Sequence, residues 1–63
     1  MLKKIDILNI KKSDKISRFF IINADLQNMT SDNKLYDKLT LHSTQLLEEI
    51  ININIEIYKE LTR

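Results

Sequence analysis

The stretch LLEEIININIEIYKEL, Leu46 to Leu61, has two readings, and the choice between them decides the fold. Read as a strand, Ile51, Ile53, Ile55 and Ile57 alternate with Asn52, Asn54 and Glu56, a period of two in β-branched residues. Read as a helix, Leu39, Leu46 and Ile53 recur every seven residues, and Tyr36, Ser43, Ile50 and Ile57 form a second row beside them. Leu47, Ile51 and Tyr58 flank this seam, and Ser43 and Glu60 are its polar gaps. The helix is favoured. Leu46-Leu47-Glu48-Glu49 before the isoleucines and Tyr58-Lys59-Glu60-Leu61 after them are strong helix formers, with no turn residue between. A lone strand would also need a partner, and only residues 2–10 offer one. The run Thr40-Leu41-His42-Ser43-Thr44 has low helix propensity as a whole, which predicts a kink or break at 40–44.

Composition supports the same choice. The 63 residues contain no glycine, proline or cysteine. Glycine supplies positive φ, and proline fixes φ and removes a donor, so both punctuate folds rich in turns. A small sheet protein needs several such turns. A chain that must turn with Asn, Asp and Ser should turn rarely and build long helices.

Working back from the decisive stretch, Met29-Thr30-Ser31-Asp32-Asn33 is a clear turn. These polar side chains bond their own backbone and favour turns and caps. Before it, Ile16, Phe19, Ile22, Leu26 and Met29 mark one helical stripe, widened by Phe20 and Ile21. Ser13 is a candidate N-cap, and Asp14 suits a positive helix end. Residues 2–10 fit either period and are too short to assign. The expected layout is one all-α domain. It has a basic arm over 1–12, helix 1 over 13–29, a turn over 30–33 and helix 2 over 34–61. The short turn makes the pair an antiparallel helical hairpin.

Size then bears on partners. A core this small supplies roughly 3–5 kcal/mol and usually needs a disulfide, a metal or another chain. Without cysteine, disulfides and thiolate zinc sites are excluded, and His42 as the sole histidine excludes a His-rich site. No cofactor is expected. A partner chain remains, so we expect a homo-oligomer, most simply a dimeric four-helix bundle, or a subunit docked on a larger protein. Phe20, Ile51, Ile55 and Tyr58 are the expected contact residues.

Charge is unevenly placed along a chain of net +1. Residues 1–18 hold Lys3, Lys4, Lys11, Lys12, Lys15 and Arg18 against Asp6 and Asp14, a net of +4. The remainder carries −3. The six cations are candidate phosphate contacts for a nucleic acid, or for anionic lipid headgroups. A solvated lysine face, or two helices of opposite sign that suit each other, is the plainer reading.

Motifs for catalysis are lacking. His42 and Ser43 are sequence neighbours, which a helix points about 100° apart. Glu48, Glu49, Glu56 and Glu60 fall on different helical faces and lack calcium-loop spacing. Phosphate loops need glycine. Phe19 and Phe20 beside Arg18 and Lys15 suit stacking on single-stranded nucleic acid, but Phe19 lies on the apolar stripe and reads as core.

No stretch has the length and apolarity to span a bilayer, and the N-terminal lysines precede no continuous apolar run, so a cytoplasmic location is expected. Abundant Ile, Lys and Asn suggest an A/T-rich genome, as in some bacteria, phages and viruses. The resulting expectation is a non-enzymatic protein–protein interaction module acting as a small regulator, inhibitor or assembly subunit. A nucleic-acid-binding protein using the basic N-terminal region is the alternative.

Overall fold

The computed structural model describes residues 1–62 and contains two helices, α1 (Lys4–Gln27) and α2 (Tyr36–Leu61). They run antiparallel along a body of 47 × 18 × 13 Å, and the described residues include no strand. Residues 51–57, which also read as a strand, are helical.

α1 begins nine residues earlier than the sequence suggested, at Lys4 rather than residue 13. The basic arm over 1–12 is therefore mostly helix, and only Met1–Lys3 precede it. The Asp6 carboxylate accepts the Lys3 backbone N–H at 3.2 Å, which satisfies one donor at the helix start. Ser13 is an exposed mid-helix residue and caps nothing. The physical reason is that lysine is a good helix former, so Lys11-Lys12-Ser13-Asp14 interrupts the apolar pattern without interrupting the backbone.

The expected break at 40–44 is also absent, since α2 is continuous for 26 residues. The Thr40 and Thr44 hydroxyls bond back to the carbonyls of Tyr36 and Thr40 at 2.9 and 3.1 Å. Leu39, Ser43 and Leu46 in the same turns are buried or half-buried, so packing outweighs their neighbours' weak propensity.

The connection occupies residues 28–35, wider than the expected 30–33. The Asn28 and Met29 amides donate to Asp25 and Leu26, tightening the end of α1. The Asn33 amide donates to Thr30 O at 3.0 Å, and the Asn33 side-chain oxygen accepts the Leu35 amide at 2.9 Å. No described residue has positive φ. A chain without glycine thus reverses direction without any left-handed residue.

Burial alternates three and four residues apart along both helices. On α1 the inward row is Ile5, Leu8, Lys12, Lys15, Phe19, Ile22 and Leu26, continued by Met29 just past its end. On α2 it is Tyr36, Leu39, Ser43, Leu46, Ile50, Ile53, Ile57 and Glu60. This is the seam of an antiparallel coiled coil. Its centre is thin, because among the described residues only Ile22, Leu46 and Ile50 are buried apolar side chains.

Candidate interaction surface

The seam divides the hairpin's surface into two broad faces. On one, α1 presents Asp6, Asn9, Ser13, Ile16, Phe20, Asn23 and Gln27. α2 presents Asp37, Thr40, Thr44, Leu47, Ile51, Asn54, Tyr58 and Leu61 beside them. Its charges are Asp6 and Asp37, one near each end. The heptad places Lys4, Lys11, Asp14, Arg18, Asp25, Lys38, Glu49, Glu56 and Lys59 on the other face, with Ile7, Ile21 and Leu35 among them.

Polar contacts follow this division. Lys4 pairs with Glu60 at 3.3 Å and Lys15 with Glu49 at 2.7 Å, both across the helices. Arg18 pairs with Asp14, and Lys59 with Glu56, within their own helices. Each of these pairs has a member on the charged face. At the edge of the other face the Asn23 amide donates to Ser43 Oγ at 3.3 Å and to Phe19 O at 2.8 Å. Ser43 is 8% exposed, so this contact satisfies a polar group in the seam.

The expected contact residues largely meet on the charge-poor face. Phe20 is 67% exposed, Ile51 50% and Tyr58 68%. Ile55, also exposed, sits on the outer edge of α2 rather than on that face. Phe20 meets the seam residue Phe19 edge-on, with ring centroids 6.3 Å apart. The sequence reading missed Leu61 as a surface apolar residue, and it gave Leu47 only as a flank of the seam. Both are exposed on the same face of α2, and Leu2, also exposed, precedes α1. Spacing alone could have placed Leu47 and Leu61, which lie two heptads apart.

The six candidate phosphate contacts differ in how free they are. Lys4, Lys15 and Arg18 are in ion pairs, and Lys12 is half-buried in the seam. Lys3 and Lys11 are exposed. His42 is exposed while Ser43 turns into the seam, so the two do not face each other. Asp32, in the connection, is held below the ordinary carboxylate value by a hydrogen bond from the Thr30 side chain and another from its own backbone. No helix is long and apolar enough to cross a membrane among the described residues.

No family model matches this chain, and neither a curated protein nor a solved structure shows significant similarity to it.

Proposed function

We propose that this protein is a non-enzymatic, cytoplasmic interaction module, a small regulator, inhibitor or assembly subunit that works by laying a helical face on another chain. The observation behind this reading is the imbalance between inside and outside. Three apolar side chains are buried, while Phe20, Leu47, Ile51, Tyr58 and Leu61 remain 45% to 68% exposed. Exposed apolar side chains gathered on one face mark association sites in small proteins. Such faces bind other helices through anchors at helical spacing. The partner is a second copy, giving a four-helix bundle, a larger protein, or both. Replacing Ile51 and Tyr58 by aspartate tests the reading. It predicts loss of assembly and of activity in the native host, and is wrong if both survive.

A nucleic-acid-binding role through the basic N-terminal region ranks second. Its support is the +4 charge of residues 1–18. The ion pairs of Lys4, Lys15 and Arg18 reduce what that region can offer to phosphate. An electrophoretic shift at low salt that disappears in Lys11→Glu, Lys12→Glu would support this role over the first.

A further inference from the structure

We infer that the charge-poor broad face of the hairpin is the docking surface for a second copy of this chain, with the charged face left towards solvent. The inference rests on the interaction reading above and assigns its occupant and its face.

Charge separates the faces. Apolar side chains occur on both, since Ile7 and Ile21 are 42% and 63% exposed on the charged side. There they stand among lysines and carboxylates that burial would strip of water, a penalty their pairing does not repay unless the geometry is excellent. The other face has no charged position between Asp6 and Asp37, and the cation nearest its middle is Lys12, half-buried in the seam beside it.

Hydrogen-bonding chemistry points to a second copy. The polar members of the central strip are Asn9, Ser13, Thr44 and Asn54. Amides and hydroxyls each carry both donors and acceptors. Such a surface complements itself, as a two-fold interface requires. An acidic partner would find no opposite charge among its positions, and a basic one only Asp6 and Asp37, near its two ends.

Area agrees. The broad face has an outline of 47 × 18 Å, large enough to hold the ~800 Å² each partner contributes to a standard interface. A second hairpin is also the object whose length and width match it.

The test compares two equal substitutions on opposite faces by sedimentation equilibrium of the whole chain. Ile51→Glu lies on the charge-poor face and Ile21→Glu on the charged one, and both native side chains are exposed in the single hairpin. The expected result is an unmodified mass of twice 7.5 kDa. Ile51→Glu then weakens association by about tenfold or more, and Ile21→Glu by less than about threefold. Should Ile51→Glu unfold the chain, a soluble paramagnetic probe on the unmodified dimer gives the same answer by NMR. The Ile51 and Leu47 methyls are then shielded, and those of Ile7 and Ile21 are not. Dimers disrupted by Ile21→Glu alone, or by both variants equally, overturn the choice of face while leaving self-association intact. A 7.5 kDa mass at every concentration overturns the second copy as occupant. So does a charge-poor face covered only by a different protein. In those two cases the interaction reading still stands or falls on the aspartate variants.

Discussion

Leu46 is 3% exposed and lies between Ser43 and Ile50 on the seam, so its truncation opens a cavity at the centre of a thin core. Leu46→Ala should cost about 2–3 kcal/mol, comparable with the ~3–5 kcal/mol a core of this size supplies. Urea titration of the 222 nm ellipticity should show the native baseline nearly lost. Leu41→Ala, at a position 60% exposed, should move the midpoint by no more than ~0.5 kcal/mol. Asp32 gives a second prediction. Its carboxyl favours the charged form in the fold, so its contribution is present above the unfolded value and fades as pH falls through the lowered folded value. An NMR titration of the Asp32 side-chain carboxyl should find its midpoint below the usual aspartate range. Thr30→Ala, removing the largest cause, should raise it. Some residues were readable from spacing alone. Leu46 was a seam position and Ser43 a polar gap in it. The partner of Ser43 was not readable, because Asn23 reaches it from 20 positions away across the hairpin.

The helices differ in how plainly their periods show. α2 keeps an apolar seam through Ile57, and its seven-residue repeat survives the competing alternation of isoleucine and asparagine. In helical geometry Ile53 and Ile57 face α1 while Ile51 and Ile55 point outward, which is how one run gave two readings. α1 has the same repeat, but two consecutive seam positions are Lys12 and Lys15. Lysine stems lie along apolar surface with the ammonium at the edge, so the repeat continues physically where it stops chemically. For that reason the first turns of α1 read as an arm. Ser13→Ala separates the two accounts by sign in the single hairpin, measured where the chain is unassociated. There the position is exposed and mid-helix, so alanine should stabilise α1 by up to ~0.5 kcal/mol, whereas removing an N-cap would cost about 1 kcal/mol. Thermal unfolding of the variant decides between them. The Lys15–Glu49 pair is partly exposed, so a double-mutant cycle with Lys15→Met and Glu49→Gln should return less than ~1 kcal/mol.

At the scale of the molecule, antiparallel pairing sets the basic half of the sequence against the acidic half. The +4 of residues 1–18 therefore meets the carboxylates of Glu49 and Glu60. Unequal charge along a chain becomes near neutrality across a hairpin, and what remains uneven is its distribution between two faces. That division was not legible from composition or from either helix alone, because it appears only when the two repeats are placed side by side. Folding and association should be one process here, since three buried apolar side chains leave the lone hairpin marginal. The most direct measurement is sedimentation equilibrium with circular dichroism on the same samples across a dilution series. The account predicts that mass falls from twice 7.5 kDa towards the single-chain value while helical signal falls in step. A fully helical species of 7.5 kDa that persists at the lowest concentration would contradict it.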